Sequence, residues 1–165
     1  MNADNSGISL HSETLDRLDR RLLAALQANG RISNQELAQT VHLSPAQSNR
    51  RHRRLESAGY IRGYEARLDP QRLGLGVMAF VHVSMERGQH RELVKFQRTV
   101  GKMPEVLECY AVTGDFDYVC KVVARDLKAL SDFLLRTLAQ LPGVSSVRSS
   151  ICLDELKCTT ALPLE

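Results

Sequence analysis

The chain has 165 residues with no tryptophan, four tyrosines, four phenylalanines and five prolines. It has no apolar run near the roughly 18 to 20 residues that a membrane-crossing helix needs, and its Met1 to Ser6 start lacks the basic and apolar stretches of a secretory leader. No membrane partner is expected. Its four cysteines, Cys109, Cys120, Cys152 and Cys158, form no CxxC pair and no paired zinc-ligand spacing. Lying in apolar runs, they read as buried, inert thiols in a reducing, cytoplasmic location. The five histidines (11, 42, 52, 82 and 90) make no ligand cluster, and there is no phosphate loop, nucleophile elbow or Cys/His pairing. No metal, cofactor or enzymatic activity is expected. What remains, 43% hydrophobic and 25% charged residues, is ordinary for a folded soluble protein of one domain or two small ones.

Lysine is also missing from the first 64 residues. That part carries nine arginines and six acids, net +3, whereas residues 65–165 carry thirteen bases and thirteen acids. The whole excess charge sits in the first part. Between residues 44 and 62, five arginines face the single acid Glu56. Such a local cationic segment is the footprint of a nucleic-acid contact.

Residues 1–14 read as a disordered tail. Leu15, Leu18, Leu22, Ala25 and Leu26 then form one apolar helical stripe that ends at Asn29-Gly30. Ser33-x-x-Glu36 is a capping box, with Ile32 and Leu37 placed as a hydrophobic staple, so a second helix starts at Asn34. Ser44-Pro45-Ala46-Gln47 starts a third, which runs to Gly59. Two short capped helices with the second one basic predict a helix-turn-helix over residues 15–60. At about 100° per residue, Arg50, Arg53 and Arg54 with Ala46 and Gln47 lie opposite Leu55, while Ser48 and His52 lie beside it. Gln47 and Arg50 are therefore expected at base edges and Arg53 and Arg54 at phosphates. Arg51, at an intermediate angle, is expected to pack its stem and place its head on the DNA backbone. Ser44, Pro45 and Asn49 complete the expected DNA-contacting set. His52 reads as a half-buried, hydrogen-bonded core residue whose burial in the neutral form would make this part acid-sensitive.

Residues 61–76 read as an extended linker, with breaks at Asp69-Pro70 and Gly74-x-Gly76. Val77 to Met85 alternates as a strand, and residues 89–101 have helical spacing. Strands Val106 to Val112 and Tyr118 to Ala124 flank a Gly-containing hairpin loop. Leu127, Leu130, Phe133 or Leu134, and Leu138 mark another helix, and Val144 to Leu153 a last strand. The order βαββαβ predicts a ferredoxin-like module over residues 77–165, and the whole chain an α+β fold of two parts. With both helices on one sheet face, the other, read as largely apolar, is expected to be covered by a second copy in a homodimer.

Two groups of motifs occur in order. The first is Leu15-Asp16-Arg17-Leu18-Asp19-Arg20, Asn29-Gly30-Arg31-Ile32, Leu43-Ser44-Pro45 and Arg53-Arg54-Leu55-Glu56. The second is Thr113-Gly114-Asp115-Phe116-Asp117-Tyr118, Leu141-Pro142-Gly143-Val144 and Thr159-Thr160-Ala161-Leu162-Pro163. Together they resemble the leucine-responsive/asparagine-responsive (Lrp/AsnC) regulators over about residues 15–164. The resemblance implies a winged helix-turn-helix joined to an effector-binding RAM domain, and a cytoplasmic, nucleoid-associated regulator of amino-acid metabolism that binds double-stranded DNA. It also implies dimers that assemble to octamers, with an amino-acid effector between dimers. The implied pocket takes Ala111, Val112, Thr113, Gly114, Asp115, Phe116, Asp117 and Tyr118 from the hairpin. To these it adds Ser131 and Leu135 from the second helix, and Val147, Arg148, Ser149, Ser150 and Ile151 from the last strand. Chemistry at the hairpin fits an amino acid: backbone N–H groups around Gly114 suit a carboxylate, and Asp115 or Asp117 an ammonium. Two other functions fit the residues, an effector-insensitive architectural DNA-binding protein and a small-molecule-binding regulatory subunit of an enzyme.

Overall fold

A computed structural model describes residues 14–86, 88 and 90–164. The expected disordered tail lies outside them apart from Thr14. The chain divides into two compact units. The helical unit comprises the described residues up to Arg67 together with 159–164, and the sheet unit is Leu68–Cys158.

The helical unit is built on α1 (Arg17–Ala28), α2 (Asn34–Val41) and α3 (Pro45–Ser57). All three begin with a reciprocal capping box: Asp16 with Asp19, Ser33 with Glu36, and Ser44 with Gln47. Each satisfies amide groups that have no partner in the first turn, a contribution of about 1 kcal/mol per cap. Leu22, Leu26, Leu37, Val41 and Leu55 form the core, with Ile32, Leu43 and Ile61 against it. Fully burying each leucine stabilises by about 1.5 to 3 kcal/mol.

At the turn between α2 and α3, His42 adopts a left-handed conformation (φ 58°, ψ 48°). The amide of Leu43 then reaches the Ala38 carbonyl at 2.9 Å, closing α2 and redirecting the chain. After α3, Gly59 takes φ 76°, and the Tyr60 amide bonds the Leu55 carbonyl at 3.0 Å. No strand pairing follows α3 among the described residues of the connector.

The C-terminal segment departs from the expected domain boundary. Placed with the sheet module by sequence, residues 159–164 pack on the helical unit instead. Gln27 donates to the Leu162 carbonyl at 3.0 Å and accepts from its amide at 2.6 Å, while Leu164 joins the leucine core. An apolar Leu-Pro-Leu end on a short polar tail carries no signal of which core it joins.

The sheet unit consists of β1 (Val77–Met85), α4 (His90–Val100), β2 (Val106–Ala111), β3 (Tyr118–Ala124), α5 (Leu127–Asp132) and β4 (Val144–Ile151). The strands are antiparallel in the order β2-β3-β1-β4. Ala79, Val81 and Val83 of β1 and Cys120 and Val122 of β3 pack with Phe96, Val100, Leu130 and Phe133 of the helices. A π turn, Phe133–Thr137, and a 3-10 turn, Leu138–Gln140, continue α5. This widened turn explains why helical spacing left Phe133 and Leu134 as alternatives: Phe133 is buried in the core and Leu134 packs partly against it.

Two expectations are corrected. The face away from the helices is mixed rather than largely apolar: beside Phe80 it carries Tyr110 on Glu108 (2.8 Å) and Lys121 on Glu108 (3.4 Å). Nor are the cysteines uniformly buried, since Cys109 and Cys158 are exposed and only Cys120 is fully enclosed. Cys109 is exposed because β2 is an edge strand, whose residues have a neighbour on one side only.

Candidate DNA interface and effector site

The outer face of α3 presents Ser44, Pro45, Ala46, Gln47, Arg50, Arg53 and Arg54, all exposed, with Asn49 and Arg51 partly so. Arg50 and Arg53 make no ion pair among the described residues. Their guanidinium groups are thus available for phosphate or base oxygens. Gln47 is more constrained: its side-chain oxygen accepts from the Ser44 amide at 3.3 Å and hydroxyl at 3.1 Å. Only its amide NH2 is left to donate to a base.

Arg51 and Arg54 turn toward α1. Arg51 donates to Asp16 at 2.6 Å and to Asp19 at 2.8 Å, and Arg54 donates to the other Asp19 oxygen. The Asp19 carboxylate is only 1% exposed, so it pulls both guanidinium heads inward, because a buried charge without a partner is costly. This corrects the expectation that the Arg51 head lies on the DNA backbone, and it makes Arg54 a clamp between α3 and α1 as well as an exposed cation. The hydrogen bond from the Asp19 amide, aided by Arg51, holds the Asp16 carboxyl below its usual range, and Asp16 with Asp19 raises Arg51.

On the side of α3 nearer Leu55, Ser48 is fully buried and its hydroxyl has no partner among the described residues. His52 is half-buried and hydrogen-bonded, as expected: its Nε2 meets the Tyr64 hydroxyl and lies 3.5 Å from Glu56.

In the sheet unit the residues expected around an effector separate into two sets. Ser131, Leu135, Val147, Ser149 and Ile151 line one open groove of about 430 Å³, together with Leu127, Leu130 and Leu134. Its walls are α5 and β4 on the helix-covered side of the sheet. Arg148 pairs with His82 across the β1–β4 ladder, one residue out of phase with Val147, so Arg148 and Ser150 point to the opposite face. There the Arg148 guanidinium stands 5.7 Å from the Phe116 ring centre, and that ring lies 4.8 Å from the His82 ring.

Ala111, Val112, Thr113, Gly114 and Asp115 are exposed around the β2–β3 turn. Gly114 has φ 115° and nothing within 4 Å of where a Cβ would stand, which leaves the turn's backbone approachable. Asp117 is committed to the fold: one side-chain oxygen accepts from the Met85 amide at 2.7 Å. Tyr118 is buried against Phe96, with Gln97 donating to its hydroxyl at 3.0 Å, so it supports the hairpin from beneath instead of lining a pocket. Asp115 is the hairpin carboxylate left without a partner among the described residues.

A family model described as the Lrp/AsnC ligand binding domain matches residues 78–162, and one described as winged helix-turn-helix DNA-binding matches 15–62. The chain belongs to the Lrp/AsnC family. It is thereby a DNA-binding transcriptional regulator with an amino-acid-binding domain. The Bkd operon transcriptional regulator of Pseudomonas aeruginosa is 43% identical over 150 residues, covering 91% of this chain and 98% of that one. The leucine-responsive regulatory protein of Escherichia coli K12 is 41% identical over 151 residues, covering 92% of each. A Neisseria meningitidis transcriptional regulator solved with L-Met superimposes with a TM-score of 0.89 at 44% identity, over 92% of this chain and 97% of that one.

For this Lrp/AsnC chain, sequence reading missed the residues that act on others. Asp16 and Asp19 position two arginines of the recognition helix, and His82 holds Phe116. Alternation along β1 puts His82 on the face away from the buried Val81 and Val83. The spacing of α1 did carry a signal for Asp19, which lies four residues after Leu15 and three before Leu22, on the apolar stripe. No helix among the described residues is long and apolar enough to cross a membrane.

Proposed function

We propose that this regulator reads its operator through α3, with Arg50 and the Gln47 amide at base edges and Arg53 on phosphate, and that it senses an apolar amino acid at a site completed between copies of the chain. The observation that carries the second part is the division of the effector residues between the two faces of one sheet. A ligand touching both the α5–β4 groove and the set around Phe116 and Arg148 needs a second copy to supply one of them. Assembly of homodimers, and of dimers into octamers, supplies that copy, and the protein works in the cytoplasm on the nucleoid. The L-Met bound to the Neisseria relative supports an amino-acid effector. The four leucines of the groove, with Val147 and Ile151, suit an aliphatic or thioether side chain.

The effector acts on DNA binding only to the extent that it binds one assembly or one arrangement of the DNA-binding heads better than another. The test is a thermal-shift screen of the full-length protein against the twenty amino acids, followed by DNA titrations at several salt concentrations. A ligand at about 100 times its Kd adds about 2.7 kcal/mol of stability, and Asp115→Ala or Leu135→Arg should abolish that gain. Replacing Arg53 with Ala should lower the salt slope of DNA binding by about one. A full response in both pocket variants, or ligand binding by a form that sediments as a monomer, would refute the shared site.

A further inference from the structure

We infer that Cys109 and Cys120 form a peroxide-sensitive dithiol that closes to a cross-strand disulfide. The two face each other directly in the β2–β3 ladder, with their sulfurs 3.3 Å apart. The Val112 amide bonds the Asp117 carbonyl at 3.0 Å, and the alternation of an antiparallel ladder from that pair makes 109 and 120 a non-hydrogen-bonded pair. At such positions the Cα atoms approach to about 4.5 Å, within the range a disulfide spans. The bond can therefore form with only a small movement of the side chains.

The two thiols differ in the ways such a reaction requires. Cys109 is exposed on the edge strand, whereas Cys120 is fully buried in the sheet core. The Cys120 S–H donates to Cys109, which lowers the Cys109 pKa and raises that of Cys120. The reachable sulfur is thus the one favoured as thiolate, and the sheltered one stands ready to resolve.

The oxidant is hydrogen peroxide. The Cys109 thiolate attacks one peroxide oxygen, an S–O bond forms as the O–O bond breaks, and hydroxide leaves. Cys120 sulfur then attacks the Cys109 sulfenic sulfur: the S–S bond forms, the S–O bond breaks, and the departing hydroxide takes the Cys120 proton as water. In sum the two sulfurs lose two electrons to the peroxide, and two waters form once the first hydroxide takes up the proton that Cys109 released in becoming a thiolate. A thiol reductant reverses the change. The pair sits on the strands that carry the Val112 to Asp117 turn, so oxidation staples the base of that hairpin.

The experiment treats the full-length protein with graded hydrogen peroxide, alkylates it under denaturing conditions and digests it with trypsin. Cleavage after Lys102 and Lys121 puts both cysteines on one peptide, which also contains Met103 as an internal measure of oxidant exposure. The expected product is this peptide two hydrogens lighter and unalkylated, formed in a yield independent of protein dilution and restored to two alkylated thiols by dithiothreitol. Cys109→Ser should give no such product and should leave Cys120 alkylatable. Cys120→Ser should leave Cys109 as a sulfenic acid that dimedone traps. If Cys120→Ser does not fold, the Cys109→Ser comparison decides alone. Three results would overturn the inference: both thiols alkylated at doses that oxidise Met103, Cys109 passing to sulfinic acid with no internal link, or oxidation appearing only as Cys158-linked chains.

Discussion

Replacing Asp19 with asparagine tests whether a buried carboxylate holds the recognition helix. The substitution keeps the side chain's shape and one acceptor for the Asp16 amide but removes the charge that binds Arg51 and Arg54. Loss of one partner from a buried ion pair costs about 3 to 5 kcal/mol, an upper bound here because the Arg54 side chain is 45% exposed and its share is screened. Arg51, at 24%, keeps more of its value. We expect a loss of about 2 to 3 kcal/mol, with a charge-assisted hydrogen bond worth about 1.5 to 3 kcal/mol as the main part. The assay is hydrogen exchange of the full-length protein, read on peptides from α1 and α3. A double-mutant cycle with Arg51→Met should give a coupling of at least about 1 kcal/mol. If Asp19→Asn stays within about 0.5 kcal/mol of wild type, as a surface change would, the carboxylate does not hold α3 to α1 and the account of these arginines fails.

Other substitutions probe the same unit. His42→Gly removes the penalty of a left-handed side-chain residue and should raise the urea midpoint by the equivalent of about 1 kcal/mol with an unchanged m-value; a lower midpoint would show that the imidazole itself contributes. Ser48→Ala, which deletes a buried hydroxyl without a partner, should be neutral or stabilise by up to about 1 kcal/mol while DNA affinity is retained; a loss of stability in urea would reveal a partner for the hydroxyl. Asp16 and Glu36 have carboxyls held below their usual range, by the Asp19 amide with Arg51 and by the Ser33 hydroxyl and amide respectively. Their stabilisation is fully present above the unfolded-state pKa of about 4, and it is lost as pH falls through their lower folded values. Melting of the helical unit across that range should be less acid-sensitive in Ser33→Ala, which removes the hydroxyl from Glu36.

The parts legible in sequence were those whose signals are local. Ser33 with Glu36 and Ser44 with Gln47 mark helix starts because a cap and its partner lie three residues apart, and Ala79, Val81 and Val83 mark a face because alternation is a backbone property. The effector residues near α5 came from resemblance, and the structure collects Ser131, Leu135 and Val147 into one groove but sends Arg148 to the other side. What escaped depends on partners far along the chain. Asp19 falls on the apolar stripe of α1 by its spacing from Leu15, Leu22 and Leu26, but Arg51 and Arg54, which balance its charge, lie 32 and 35 residues further on. Cys109 and Cys120 are eleven residues apart, a separation that means nothing until the hairpin register places them opposite each other. Leu164 joins a core whose other members end a hundred residues earlier.

The bond from Gln27 to Leu162 gives the helical unit an order of construction. Its three helices emerge from the ribosome before the sensing unit, but the segment that pairs with α1 and adds Leu164 to the leucine core emerges after it. The DNA-reading unit therefore acquires its final packing only after the sensing unit has been synthesised. A nascent chain stalled before residue 159 would carry the recognition helix without that last contact. In this protein the reading head receives its last packing from a segment made after the part that listens.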